Sequence, residues 1–350
     1  MKKKIFSWAC DFSSFRGEGI LARSFACDLS TIKKIDIYVK SPENSYFVKD
    51  GKIKKITNNL NKKINFGLFQ NYLWPVYGIL YLWIKYIKKE KILYLNFMPL
   101  WNFLLFYFLP PKTIIGPITG FIPKKKIDNF SNIIRIILIP LFYKLSLIII
   151  FKRFKSLIFS TDLLKKKFLK KDHFKLHFNY LISSNLNKIK FSSKKRKIDL
   201  LVYNRNYTVK EHYKLNNLIK FLLQKNYRVH CIGDNLKIKG LKNYNIINRD
   251  KVKKLLKNTK LVISSPENPY SLFTLDALNM GAKVLFDKKY KNRLFFIKYN
   301  SKHYINLDKQ NYNKIEKEIK NKTNQMILNT YEINSIKRGV LNHFNNILIY

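Results

Sequence analysis

Acidic side chains are scarce in this chain. Its 350 residues carry 21 Asp and Glu against 68 Lys and Arg, a formal net charge of +47. No Asp-x-Asp pair and no histidine cluster occur, so no site for a hard cation is expected. Cysteine is rarer still: Cys10, Cys27 and Cys231 are scattered without disulfide or zinc spacing, and two of them fall on predicted buried elements. That usage excludes a disulfide framework and fits a reduced, cytoplasmic protein. No signal peptide is read at the start, because the apolar run behind Lys2-Lys3-Lys4 is short and reads better as a first strand. An uninterrupted membrane-spanning run is also missing. Ile133 to Phe151 has the length, but Arg135, Pro140 and Lys144 break it, and a charge near a helix centre costs about 2.5–3.5 kcal/mol. No RNA- or DNA-binding module signature is present.

The surplus of cations has two sources. Lysines outnumber arginines 58 to 10, with heavy Ile and Asn use, as in a genome rich in A and T; part of the charge is therefore codon bias. A field of this size still draws anions across about 8 Å at physiological salt. An anionic membrane surface fits it better than nucleic acid, because basic runs adjoin the aromatic ones, Asn71 to Lys88 and Pro99 to Pro110. For the third stretch, Ile133 to Phe151, buried core helix is the first reading, a helix lying on a membrane the second, and a span the third.

The second half alternates strands and helices. Asp199 to Tyr203 (DLLVY) reads as a buried strand, and Leu215, Leu218, Ile219, Leu222 and Leu223 mark the core face of a helix over Glu211 to Lys225. Arg228 to Ile232 is a strand closing on Gly233-Asp234. Tyr244 to Ile247, a helix from Asp250 to Asn258 and a strand from Lys260 to Ser264 follow. Such alternation signals a parallel, doubly wound sheet, whose ligands sit beyond the carboxyl ends of the strands. Arg205, Gly233 and Glu267 all fall at that end.

The densest signal runs from Ser264 to Phe286 (SSPENPYSLFTLDALNMGAKVLF). Glu267 and Asp276 flank a strand-to-helix junction, and the helix from Leu272 to Met280 stops at Gly281. A helix N-terminus behind a strand offers free amides to an anion, while carboxylates suit hydroxyl-rich groups; together they suggest a sugar nucleotide. The stretch resembles the donor site of retaining glycosyltransferases of family 4, which have the GT-B fold. LDALNMGAKVL is similar to their second half-motif, with Asp276 in place of a Glu. Eight residues rather than seven separate Glu267 from Asp276, so Asn268 is the alternative occupant of the first position. Arg205 and Lys210 match the family's Arg-x4-Lys after the first strand of its C-terminal domain. The resemblance implies that these two cations hold the donor diphosphate, helped by the amides of Ser271, Leu272, Phe273 and Thr274. It further implies Gly233 at the donor, Glu267 on the transferred sugar and Asp276 on the ribose.

The first half reads as a second domain of the same class. Lys4 to Cys10 is a strand, and the loop DFSSFRGEG leads to a helix from about Ile20 to Leu29. Gly17, Gly19 and Ala22 form a G-x-G-x-x-A, but Gly17 comes seven positions after the strand's last residue, Cys10, and the strand Ile35 to Val39 ends on Lys40 rather than an acid. A nicotinamide fingerprint is therefore rejected. A glycine-rich loop approaching the donor phosphates or the acceptor is the reading kept, with Asp11 and Glu18 as its candidate base or acceptor contacts. Further strands are read at Ile92 to Asn96, Thr113 to Ile115 and Leu157 to Ser160, and a last segment at Phe178 to Ser183. The histidine that many relatives carry at an N-domain strand end is missing, since Leu95-Asn96-Phe97-Met98-Pro99 stands there.

These readings give an α/β protein of two doubly wound Rossmann-like domains facing a cleft. Residues 1–185 form the acceptor side, 186–197 a linker, 198–328 the nucleotide-sugar domain, and 329–350 a helix crossing back to the first domain. The expected activity is transfer of a sugar from a nucleotide-diphosphate-sugar, without cofactor or metal, to a glycan acceptor. The acceptor would be lipid-linked and belong to surface polysaccharide synthesis, with the protein cytoplasmic, on the inner face of a membrane. The alternatives are a GT-B sugar-nucleotide epimerase, or a non-catalytic protein binding anionic membrane or RNA.

Overall fold

A computed structural model describes the chain except residues 1–3, 15–16, 59–69, 96–97, 120–129, 166–167, 169–174, 187–195, 205–212, 265–267, 292–293, 295, 298–302, 306–311, 322–327 and 348–350. The chain forms two compact units, Met1–Ser184 with Ile336–Tyr350, and Asn185–Ser335.

The first unit is built on β1 (Lys4–Trp8), β2 (Asp36–Lys40), β3 (Asn44–Lys49), β4 (Lys52–Asn58) and β5 (Lys91–Tyr94). The two-residue strands β6 (Met98–Pro99), β7 (Ile114–Ile115) and β8 (Ile118–Thr119) follow, and then β9 (Leu157–Ile158) and β10 (Leu176–His177). The main sheet runs β4-β3-β2-β1-β5-β7. Its inner strands are parallel, whereas β3 and β4 are antiparallel additions at one edge. This hairpin is absent from the strands read in the sequence. Its turn is Asp50-Gly51, with φ of 48° and 73°, the paired left-handed conformation that the right-handed twist of two-residue hairpins favours.

Among the described residues the helices beside these strands are α1 (Gly17–Lys33), α2 (Gln70–Ile87), α3 (Phe103–Phe108), α4 (Phe130–Arg153) and α5 (Tyr180–Asn185). One core gathers Trp8, Trp74, Leu82, Tyr94, Phe106 and Phe159. Phe178 to Ser183, read above as a strand end, is instead the approach to α5 and its first turns.

The second unit holds β11 (Ile198–Asn204), β12 (Val229–Gly233), β13 (Lys242–Tyr244), β14 (Thr259–Ile263), β15 (Lys283–Asp287) and β16 (Tyr304–Ile305). All pairings are parallel, in the order β13-β12-β11-β14-β15-β16. Strands this apolar are buried on both faces, as a helix-covered parallel sheet requires. The helices are α6 (Tyr213–Gln224), α7 (Arg249–Lys257), α8 (Leu272–Asn279) and α9 (Tyr312–Lys320), and α10 (Thr330–Asn346) closes the chain. Leu215, Leu218, Ile219 and Leu222 of α6 are all buried in the core. Arg196 ties this unit together at the far end of the sheet, donating to the carbonyls of Leu256, Thr259 and Met280 at 3.4, 2.5 and 2.8 Å.

From Ile336 onward α10 belongs to the first unit. There His343 and Phe344 are fully buried. The Nδ1 of His343 lies 2.8 Å from Ser156 Oγ, its ring 5.5 Å from that of His177, and Phe344 packs on Phe25. Burial lowers the pKa of both histidines, and His343 falls well below its ordinary value. The unfolded chain titrates near 6.5, so above that pH the stability is complete. Below it, the unfolded chain takes up protons that the fold refuses, and stability drops by up to about 1.4 kcal/mol per pH unit for each histidine. Asp28, hydrogen-bonded to Tyr180 at 2.7 Å, has its carboxyl pKa raised by burial and acts in the opposite sense at lower pH. Trp8, Trp74, Trp83 and Trp101 all belong to the first unit, so their fluorescence follows its unfolding alone. The urea midpoint at about pH 5.5 should lie below that at about pH 7.5, and His343→Leu should flatten the dependence. An equal slope in that variant would remove His343 from the account.

Candidate functional site

Numbered by appearance, the strands of the second sheet lie in the order three-two-one-four-five-six. The direction of winding reverses between β11 and β14, and in such sheets ligands bind outside the carboxyl ends at that point. Gly233 stands at the end of β12 beside it, with φ +102°, and a Cβ on it would lie 2.1 Å from the carbonyl oxygen of Asn204. Only glycine lets the two strand ends approach so closely. Asn204 completes the junction: its Nδ2 donates to Asp234 O at 2.9 Å, and Asp234 N donates to Asn204 O at 3.1 Å.

Tyr203 links this junction to α8. Its ring stacks on Phe273 at 5.4 Å between centroids, and its Cε2 is 3.5 Å from the position a Gly233 Cβ would take. Ser271 caps α8, accepting from Thr274 N at 3.2 Å, and its hydroxyl also meets Thr274 Oγ1 at 2.8 Å. The amides of Leu272 and Phe273, ahead of the first helical acceptor, are the ones an N-terminus leaves for a ligand. Asn268 shapes the approach, its Oδ1 accepting from Tyr270 N at 2.9 Å. Beyond β12 and β13 opens a pocket of about 620 Å³ lined by Gly233, Asp234, Asn235, Asn245 and Ile246. Two side-chain amides and one exposed aliphatic face lie on its wall.

Gly233, Ser271, Leu272, Phe273 and Thr274 therefore come together around one end of the sheet. Arg205, Lys210 and Glu267 lie outside the described residues. Arg205 follows Asn204 directly, and Glu267 lies between the described Ser264 and Asn268.

Asp276, expected to face a ribose, is engaged elsewhere. It is 2% exposed, and Arg249 grips both its oxygens, Nε to Oδ2 at 2.7 Å and Nη2 to Oδ1 at 2.8 Å. The same Nη2 donates to Asn185 Oδ1 at 2.7 Å, and Asn279 donates to the Asn185 carbonyl. A carboxylate inside α8 has no water to solvate it and needs a cation with matching geometry; Arg249 supplies it from the first residue of α7. Its tertiary partner is not visible in sequence.

Gly17 and Gly19 also need correction, since both lie in the first turn of α1 and not in a loop. A Cβ on Gly19 would stand 2.3 Å from Asp11 O and 2.6 Å from Ser14 O. This glycine lets the helix settle on the turn after β1, a packing reason. Asp11 lies in that turn, and Glu18 is the acid of the helix's first turn, where its charge meets the positive dipole end. Sequence reasoning passed over Tyr203, Asn235, Asn245 and Arg249. Position beside a strand end was the available signal for the first three. The thiols of Cys10, Cys27 and Cys231 are all free, and burial pushes them up to about 12, 11 and 11. They belong to the packing, not to nucleophilic chemistry. Among the described residues no group of His, Cys, Asp and Glu could hold a metal ion.

No family model matches the chain, and no curated protein matches it in sequence. Solved structures do match in fold. The UDP-GlcNAc 2-epimerase of Methanocaldococcus jannaschii, in complex with UDP-GlcNAc and UDP, aligns at TM-score 0.51 and 12% identity, covering 97% of this chain and 98% of that one. A UDP-forming α,α-trehalose-phosphate synthase from Burkholderia xenovorans aligns at 0.46 and 9% identity, over 99% and 96%. The S. aureus MnaA–UDP structure aligns at 0.45 and 11%, over 98% and 92%. The first likeness shows a shared α/β fold of two parallel-sheet domains, the GT-B class expected from the sequence.

Proposed function

We propose that the chain is a glycosyltransferase, taking a sugar from a nucleotide-diphosphate-sugar and passing it to a hydroxyl of a glycan acceptor. The observation that carries this reading is the convergence at the switch point of the second sheet. Gly233 closes on Asn204 at the end of β11, Tyr203 links that end to Phe273 at the capped start of α8, and a pocket with two amide side chains opens beside Gly233 at the ends of β12 and β13. Asn235 and Asn245 offer donors and acceptors to the edge of a nucleobase, and Ile246 offers a flat apolar contact. Arg205, next in the chain after Asn204, and Lys210, five positions further, would neutralise the diphosphate as it departs, with the Leu272 and Phe273 amides adding the helix dipole. Glu267 would hold hydroxyls of the transferred sugar. Asn268 spends its side-chain oxygen on Tyr270 N, which favours Glu267 over Asn268 for that task. Asp11 and Glu18 are the candidate contacts for the acceptor, and the acceptor we expect is lipid-linked.

Loss of one cation should remove a charge-assisted bond of about 1.5–3 kcal/mol. Arg205→Ala and Lys210→Ala are thus each expected to weaken UDP or GDP binding roughly 10- to 100-fold by calorimetry. Wild-type affinity in both would exclude the clamp. Glu267→Gln should keep nucleotide affinity and lose transfer, while Asn268→Ala should retain measurable turnover. The reverse pattern would assign the sugar contact to Asn268.

A sugar-nucleotide epimerase is the second reading, favoured by the fold likeness to the Methanocaldococcus enzyme. Product analysis with a panel of UDP- and GDP-sugars separates the two. Release of nucleoside diphosphate that depends on an added glycan supports transfer. Conversion to an epimer without acceptor supports the second reading.

A further inference from the structure

The first unit carries an apolar surface that the nucleotide site does not use. Of the 21 large hydrophobic residues exposed among the described residues, 15 lie between Leu73 and Ile148. On α2 they fall at Leu73, Val76, Tyr77, Leu80, Ile84 and Ile87, one stripe at helical spacing, and Ile87 is 74% exposed. The opposite stripe holds Trp74 and Leu82 in the core. A water-facing stripe is polar in an ordinary amphipathic helix; here both faces are apolar.

The stripe continues onto the neighbouring helices. Trp83 of α2 donates its Nε1 to the Phe108 carbonyl of α3 at 2.9 Å, and both side chains are exposed. Leu104 and Tyr107 share that face of α3 at helical spacing. Phe103 of α3 packs on Phe142 of α4 at 5.2 Å, and Arg153 of α4 donates to the carbonyls of Phe106, Tyr107 and Leu109, closing the end of α3. On α4, Ile137, Leu141 and Ile148 are exposed along one side. Three helices, α2 and α4 each packed against α3, thus turn apolar side chains to solvent, a patch of the kind that marks an interaction site.

Charge identifies the partner. Exposed lysines stand beside the apolar residues: Lys88 and Lys89 behind α2, Lys112 after α3, Lys144 and Lys152 on α4. Between Asp50 and Asp162 the sequence has only two acids, Glu90 and Asp128. An apolar face rimmed by cations and nearly free of acids complements a bilayer with anionic headgroups, where each lysine near the surface adds to the attraction. No helix among the described residues is long and apolar enough to cross a membrane, so the fit is to the interface. We propose that the outward faces of α2, α3 and α4 seat this protein on an anionic lipid surface, with Trp83, Leu80, Tyr107 and Ile137 entering the headgroup layer. The proposal stands on this surface alone and is independent of the chemistry assigned to the second unit.

The test uses the full chain and vesicles of phosphatidylcholine with or without about a third phosphatidylglycerol. Partitioning into the anionic vesicles should exceed that into neutral ones by about tenfold or more, and fall with salt. Brominated lipid should quench the exposed Trp83 and Trp101 but leave the buried Trp8 and Trp74, giving partial quenching. Leu80→Glu with Ile84→Glu should reduce partitioning by about tenfold or more. Both positions are exposed, and an unchanged urea midpoint verifies the fold. Lys88→Glu with Lys89→Glu should lower affinity and shallow the salt dependence. Binding to neither vesicle would overturn the proposal, and so would anionic binding without bromine quenching. Full binding by the doubly glutamate-substituted α2 variant would likewise reduce the effect to bulk charge and overturn it. A dimer in sedimentation that the same substitution dissolves, with no vesicle binding, would give the face to a second copy instead.

Discussion

Arg249→Ala is expected to destabilise the second unit by about 3–5 kcal/mol, because it strands the Asp276 carboxylate in the interior without its cation. Both oxygens of Asp276 now rest on one guanidinium, at 2.7 and 2.8 Å, in a residue 2% exposed. The same loss frees Asn185, the first residue of the unit, from its 2.7 Å bond. Removing both charges should be far milder: Arg249→Met with Asp276→Leu is expected within about 1–2 kcal/mol of the wild type, since a buried ion pair and an apolar pair of similar volume are close in free energy. The tryptophans report only on the first unit, so the measurement is hydrogen exchange of the peptide covering Leu272 to Leu278. Wild-type protection in the single variant would mean that water reaches Asp276 and that the pair is dispensable.

Gly233→Ala should be nearly as damaging, for a reason of backbone and not of charge. At φ +102° an added Cβ meets the Asn204 carbonyl oxygen at 2.1 Å, so two strand ends must separate. Strain in such a region costs about 1–3 kcal/mol, and the backbone collision adds to it. Gly240 supplies the control. Its φ is +84°, but a Cβ there would meet only Leu223 Cδ2, at 3.9 Å. Gly240→Ala should therefore cost about 1 kcal/mol, and Gly233→Ala clearly more. Nucleotide affinity should collapse in the Gly233 variant and persist in the Gly240 variant. Equal thermal shifts in the two would discard the close-approach argument.

The second unit was readable because its sheet is parallel. Strands buried on both faces appear as unbroken apolar runs, and β11, β12 and β14 lie within a residue or two of DLLVY, RVHCI and KLVIS. Helix α8 was readable from its stop, since Gly281 at φ +69° ends it. The hairpin of β3 and β4 was legible in principle through Asp50-Gly51, yet its apolar residues are too few to announce a core-facing strand. The partner of Asp276 was hidden for a different reason. The sequence reveals that an acid opens onto a helix, but not that α7 delivers Arg249 to the same spot from 27 positions away. Gly17 and Gly19 were read as part of a glycine-rich loop before a helix from about Ile20; glycine is a poor helix former, and the close packing of Gly19 on the Asp11 carbonyl, which only the fold shows, explains its place in the first turn.

The hairpin has a consequence for how the protein behaves in a crowded solution. Strand β4 is the last in its sheet, so one side of its backbone offers unpaired donors and acceptors to any passing strand. Lys52, Lys54 and Lys55 are exposed along it, interleaved with the exposed Ile53 and Ile56. Mutual repulsion of these cations keeps two molecules from joining edge to edge, and high salt or a polyanion would remove that repulsion. Handling the purified protein at low ionic strength, away from nucleic acid contaminants, should therefore keep it monodisperse where the opposite conditions precipitate it.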